Sequence, residues 1–217
     1  MGSIYISPST QENNIGAGSY GTEEKRMNLI ADIVVQLLQY NHLKVYRNRM
    51  EMTLAQVVAD SNSKNVDAHF AIHSNAGGGK ARGSEVFYTS PKGQKLASAV
   101  YKYIEPLTPT SDRGVKNHER LYELNKTDAV AALIEVAFHD NLEDANFIMN
   151  NIQAIAEGIA HGICDYFGVE FKLPEQPKPL EDSDKLYRVQ VGAFSKKENA
   201  ENLATELKSK GYSTIIV

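Results

Sequence analysis

Short apolar runs alternate with stretches of helical periodicity along most of the chain, and this alternation constrains the fold more than any other feature. A chain patterned this way buries its runs as the strands of a sheet and lays its helices across the faces. Ile4-Tyr5-Ile6 reads as a first strand stopped by Pro8, and the glycine-bearing stretch from Asn14 to Gly21 as a loop. Thr22, followed by Glu23 and Glu24, has the form of an N-cap with an acidic first turn. Behind it Met27, Ile30, Ala31, Val34, Leu37 and Leu38 recur at helical spacing, and that helix ends near Tyr40-Asn41. A strand over Leu43 to Tyr46, a helix over Thr53 to Ser63 and a strand over Asp67 to His73 follow, the last closed by Gly77-Gly78-Gly79. Then come a strand over Ser84 to Tyr88, a helix from about Lys92 to Ile104, a buried strand over Ala131 to Phe138 and one long helix from Leu142 to Phe167. The expectation is an α/β fold, with a mostly parallel or mixed twisted sheet flanked by helices.

The pattern breaks at KLPEQPKPLEDSDK, residues 172–185, where three prolines and four acids describe an extended linker. Beyond it Tyr187 to Val191 alternates like a strand. Ser195 to Ser209 places Ala200, Leu203, Ala204 and Leu207 on one helical face, Gly211 caps that helix, and Tyr212 to Val217 reads as a further strand. Three segments are therefore expected: a catalytic-sized domain over residues 1–171, the linker over 172–185, and a small βαβ module over 186–217.

Composition narrows the classes of function. The formal net charge of −4 gives no basic surface to hold nucleic acid or an anionic membrane. No apolar run reaches the roughly 20 residues that a membrane span needs. Cys164 stands alone, which excludes an internal disulfide framework and a multi-cysteine zinc site. MGSIYISPST has neither a basic nor an apolar leader region, so no signal peptide is visible. If the protein acts outside a cell, something other than a leader of its own is expected to take it there.

Three polar residues sit where strands or helices begin and end, the usual place for sites in α/β sheets. His73, in AIHSNA, precedes the glycine loop. Glu24 opens the first helix. Glu135 interrupts the apolar run AALIEVAF, and a carboxylate there is costly unless it is paired or used. Each also has a structural reading: a packing histidine, a helix N-terminal charge, and a carboxylate paired with a buried arginine. By period two His69 faces the same side as His73 and reads as a supporting residue, and His139 could line the same cleft.

In order along the chain, the first strand and glycine loop, EKRMNLIADIV, DAHFAIHSNA, GSEVFYTS and ALIEVAFHDNLEDANFI resemble the zinc-dependent N-acetylmuramoyl-L-alanine amidases of bacterial autolysins and phage endolysins. That resemblance covers nearly all of residues 1–170. It implies a peptidoglycan hydrolase cleaving the amide between N-acetylmuramic acid and the L-alanine of the stem peptide. In that family a His, a Glu and a second His hold zinc, and a late Glu is the acid/base. Position by position, Glu24 falls on the metal Glu, His73 on the second metal His and Glu135 on the catalytic Glu. The first metal His is missing. Where the family has an Asp-Pro-Gly-His type segment, this chain has Ser7-Pro8-Ser9-Thr10-Gln11, which leaves Gln11, Thr10 or water as the replacement, with Gln11 preferred for its carbonyl oxygen. Two other readings stay open: a pseudo-amidase that only binds the wall, and a zinc peptidase cutting elsewhere in the stem peptide. The tail from Tyr187 resembles half of a sporulation-related repeat (SPOR) domain, a peptidoglycan-binding module. A lone half-repeat leaves a strand edge and apolar surface open, so a homodimer through residues 186–217 is expected.

Overall fold

The computed structural model describes residues 2–110, 113–174, 189–210, 212 and 214–216. It divides into two compact units, Met1–Pro174 and Glu175–Val217. The first holds a six-stranded sheet of β1 (Ser3–Pro8), β2 (Lys44–Arg47), β3 (Ala68–Asn75), β4 (Glu85–Tyr88), β5 (Val115–Asn117) and β6 (Val130–Phe138) in the order β2-β1-β3-β6-β4-β5. β2, β1, β3 and β6 run parallel, while β4 pairs antiparallel with β6 and parallel with β5. The sheet is thus mixed and mostly parallel, with helices on both faces, in agreement with the α/β expectation.

Side-chain alternation along the central strands separates two cores. Ile4, Ile6, Phe70, Ile72, Ala132 and Ile134 face one way, onto α1 (Glu23–Tyr40), α3 (Pro91–Ile104) and α6 (Ile152–Tyr166). Tyr5 faces the other way and packs with Val57 of α2 (Leu54–Ser63), while Ala71, Ala131 and Leu133 meet Leu124 of the short helix α4 (Tyr122–Lys126). By the same period His69, His73 and Glu135 lie on this second, thinly covered face. Local signals start the helices. Thr22 accepts from the Lys25 amide, Thr53 and Gln56 close a capping box, and Ser90 caps α3 ahead of Pro91. α6 crosses α3 so closely that a Cβ on Gly162 would lie 2.3 Å from the Val100 Cα.

Two expectations need correction. The single helix expected from Leu142 to Phe167 is two: α5 (Leu142–Asn150) and α6. Asn151 leaves helical geometry (φ −125°, ψ 23°), and its side-chain amide donates to the Phe147 carbonyl at 2.8 Å. Asparagine competes for backbone groups in this way, and a helix ends where it does so. In the second unit the expected helix is present as α7 (Lys197–Ser209), with Ala200, Leu203, Ala204 and Leu207 partly covered. The flanking segments form no strand ladder among the described residues. The Gly211 cap and the ends of both expected strands lie outside the described residues. The region between Ile104 and Ala131, which has no clear periodicity, contains a 3-10 turn, β5 and α4. Among the described residues no helix is long and apolar enough to cross a membrane.

Candidate active site

β3 and β6 run side by side with His73 opposite Glu135, and the register then slips between His73 and Asn75. A bulge of this kind re-aims the side chains beyond it. Here Asn75 donates from Nδ2 to Glu85 Oε1 at 3.0 Å, and Glu85 lies opposite Glu135 on β4. Three strands therefore bring His73, Glu135 and Glu85 to one end of the sheet.

The N-terminus of α1 delivers a carboxylate to that end, and it belongs to Glu23 rather than to the expected Glu24. Glu23 is fully buried, and its Oε1 lies 2.9 Å from His73 Nδ1. Its Oε2 accepts from Asn14 Nδ2 at 2.6 Å, and the Ser9 hydroxyl also bonds it. Successive residues on a helix point about 100° apart, so one of the two glutamates faces His73 and the other turns away. Glu24 is the one turned outward. Partial burial and the charge of Glu12 raise its pKa.

Gln11 is not brought to the site either. Past Pro8 the chain is held by the Ser9 amide on the Ile72 carbonyl at 3.0 Å and then turns, leaving Gln11 exposed on a shallow surface formed by residues 10–14. Ser9 and Asn14, on either side of Gln11, turn inward instead and hydrogen-bond Glu23. Sequence reading also missed Glu123 of α4. Its Oε2 faces His73 Nε2 at 3.6 Å, an ion-pair distance too long for a hydrogen bond. His139 is buried, with Nδ1 2.9 Å from Ser74 Oγ and Nε2 3.1 Å from Asn14 Oδ1, so it braces the residues behind Glu23.

The electrostatics follow from this crowding. Burial disfavours charge on His73, but the Glu123 and Glu23 carboxylates on its two sides outweigh burial and push its pKa up to about 10. Burial likewise favours the neutral form of Glu23, yet hydrogen bonds from His73, Ser9 and Asn14 hold it below its ordinary value. Glu135 goes the other way. Burial raises it to about 8, the charge on His73 opposes the rise, and Glu23 and Glu85 add to it. Its Oε2 is buried without a hydrogen-bond partner. His73 thus stands between the Glu23 and Glu123 carboxylates with Glu135 beside it, and Glu123 also meets His69 on its other oxygen. Glu23 and His73 have the donor chemistry of zinc ligands. Among the described residues no three His, Cys, Asp or Glu side chains gather as a ligand cage.

Strand ends that set a carboxylate–imidazole pair beside a largely buried carboxyl of raised pKa are the equipment of a hydrolase that activates water. The chain belongs to the N-acetylmuramoyl-L-alanine amidase family, whose pattern matches residues 4–165, and residues 183–217 match the SPOR domain. It is 28% identical over 228 residues to the N-acetylmuramoyl-L-alanine amidase CwlM of Bacillus licheniformis, covering 100% of this chain and 85% of the relative. It is 26% identical over 226 residues to the sporulation-specific N-acetylmuramoyl-L-alanine amidase of Bacillus subtilis, with the same coverage. Its fold is that of the catalytic domain of CwlV from Bacillus (Paenibacillus) polymyxa (TM-score 0.73, 24% identity, 78% of this chain and 100% of that one). The amidase AmiC2 of Nostoc punctiforme is similar as well (TM-score 0.70, 25% identity, 77% of this chain and 97% of that one). The chain is accordingly an N-acetylmuramoyl-L-alanine amidase, in a family that generally depends on zinc.

Proposed function

We propose that the protein hydrolyses the amide between the lactyl group of N-acetylmuramic acid and the L-alanine of the peptidoglycan stem, with zinc held by Glu23 and His73 and with Glu135 as general acid and base. Zinc, when bound, supplies a polarised scissile carbonyl and a water acidified toward neutral pH. The observation that carries the reading is Glu135: a carboxyl raised to about 8 with one unpartnered buried oxygen, in register with His73. Beside a cation it ionises more readily than in the metal-free protein, and the carboxylate then accepts the water proton and returns it to the leaving amine. Asn75 and Lys116 hold Glu85, which fixes the neighbouring carboxylate opposite Glu135.

Digestion of purified peptidoglycan by the zinc-supplied protein is expected to expose new L-alanine amino termini. Chelation should abolish their release, zinc should restore it, and His73→Ala should bind no zinc and release none. New termini on a different residue would identify a peptidase instead, and wall binding without any release would identify a protein that only binds.

Residues 183–217 support retention on the wall through their SPOR match. Val189, Val191 and Ile215, at 84%, 65% and 86% exposure, offer apolar surface to a second copy. Truncation after Phe171 is expected to lower co-sedimentation with sacculi and to convert a dimer to a monomer in light scattering. A full-length monomer at tens of micromolar would dismiss the dimer.

A further inference from the structure

Glu123 has no part in the chemistry above, yet it is among the most constrained side chains in the protein. It is 3% exposed on a five-residue helix. Its Oε1 accepts from the Ser7 hydroxyl and lies 2.9 Å from His69 Nε2. His69 is itself fixed, with Nδ1 2.9 Å from Ser61 Oγ and its ring stacked on Tyr5 at 5.4 Å between centroids and 5° between planes. β1, α2 and β3 thus all contribute to locking one oxygen of this carboxylate. The other oxygen, Oε2, is left facing His73 Nε2 at 3.6 Å. An apolar side chain of similar volume would fill the space under the sheet with less desolvation penalty, so the buried charge calls for a purpose beyond packing.

The two faces of His73 are not equivalent. Nδ1 points to Glu23 at 2.9 Å and Nε2 points to Glu123. With a cation on Glu23, that carboxylate would no longer accept a ring hydrogen from Nδ1, so the Glu123 charge alone would favour the hydrogen on Nε2 and leave Nδ1 free as a donor. Carboxylates placed behind a ligating histidine orient the ring and raise its donor strength. We infer that Glu123 is a positioning residue for His73, keeping the ring hydrogen on Nε2 and presenting Nδ1 to a cation shared with Glu23. The inference rests on the proposed zinc reading of Glu23 and His73, and it adds the residue that selects the ligating nitrogen.

Glu123→Gln tests it in the full-length protein. The glutamine carbonyl can replace Oε1 toward Ser7 and His69, but its amide N–H groups then face His73 Nε2, donor against donor. Zinc affinity, measured by competition with a chromophoric chelator, is expected to fall about 10–100-fold. Nitrogen-15 spectra of the zinc-loaded, histidine-labelled protein should show His73 bound through Nδ1 in the wild type and a loss or mixture of that signal in the variant. A residue that served only to hold α4 would not move this signal. Ser7→Ala, which removes one of the two bonds to Oε1, should shift both readouts in the same direction by less. Equal zinc affinity in wild type and Glu123→Gln, or ligation through Nε2 in the wild type, overturns the inference while leaving the zinc reading intact. A wild type that binds no zinc overturns both.

Discussion

Glu135→Gln is expected to keep the fold and bind zinc while losing about 10²–10⁴ in the rate of L-alanine amino-terminus release, the usual share of a positioned acid or base. The substitution preserves volume and hydrogen-bonding shape but cannot carry the proton. Release within a factor of a few of wild type would remove Glu135 from the acid/base role. The same variant makes a second, independent statement in the metal-free protein. Burial raises Glu135 from an ordinary 4.5 to about 8, so the folded state keeps a proton that the unfolded chain gives up. The contribution of this group to stability is then fully present below pH 4.5 and is lost as pH rises through 8, because ionisation in the folded state meets the burial penalty. Glutamine has no such penalty. Its stability advantage should grow between those pH values, level off above them, and reach roughly 2–4 kcal/mol given that the residue is only partly buried. Denaturant unfolding at pH 5 and pH 9 measures it, and parallel pH profiles for the two proteins would show that the raised carboxyl is not a property of the folded state. Loss of activity combined with a gain in alkaline stability is what a residue retained for chemistry produces.

The parts of this molecule that were legible in the sequence are those governed by period and local capping. Period two put His69 and His73 on one side of their strand, and the helix starts read at Thr22 and Thr53 are ones the structure keeps. Glu135 stood out because a charge in an apolar strand violates the pattern around it. What escaped depends on long-range placement. Glu23 and Glu24 are chemically identical neighbours, and the pitch and seating of α1 alone decide which one reaches His73. Glu123 lies in a stretch with no periodicity, and only the folded chain brings it beneath Ser7 and His69, 116 and 54 residues away in sequence. Its one advance signal was His69, a polar side chain at an inward strand position that required a buried partner. Gln11 was expected at the site as the stand-in for the first histidine of the resembled family, on the strength of its carbonyl oxygen, but the turn after Ser9 carries it outward.

Asp144→Ala should be among the most destabilising single substitutions in the catalytic unit, and the reason lies in how the glycine loop is attached. Asp144 sits in the first turn of α5, where the helix dipole favours its charge, and is 1% exposed. Its Oδ1 accepts from Arg82 Nε at 2.8 Å, and its Oδ2 accepts from the amides of Gly83 at 2.8 Å and Phe138 at 3.2 Å. One carboxylate therefore ties the segment leading into β4 to the end of β6, two residues before Asp140 takes the Gly77 and Gly79 amides at 2.8 and 2.9 Å. Alanine leaves the Gly83 and Phe138 amides without this acceptor and the Arg82 guanidinium with Glu143 alone. Breaking a buried, multiply bonded pair from this side costs about 3–5 kcal/mol. Arg82→Ala should cost about 1 kcal/mol, because its side chain is 29% exposed and the carboxylate left behind keeps both amides and the helix N-terminus. The asymmetry is the test: urea unfolding of the two variants should differ several-fold in their loss of stability. Equal losses would mean that the ion pair, and not the carboxylate's grip on the backbone, holds this end of the sheet. Because Asn75 and Glu85 lie at either end of the tied segment and Glu135 lies three residues before Phe138, the Asp144→Ala variant should also lose activity at temperatures where most of it is still folded, while Arg82→Ala keeps it.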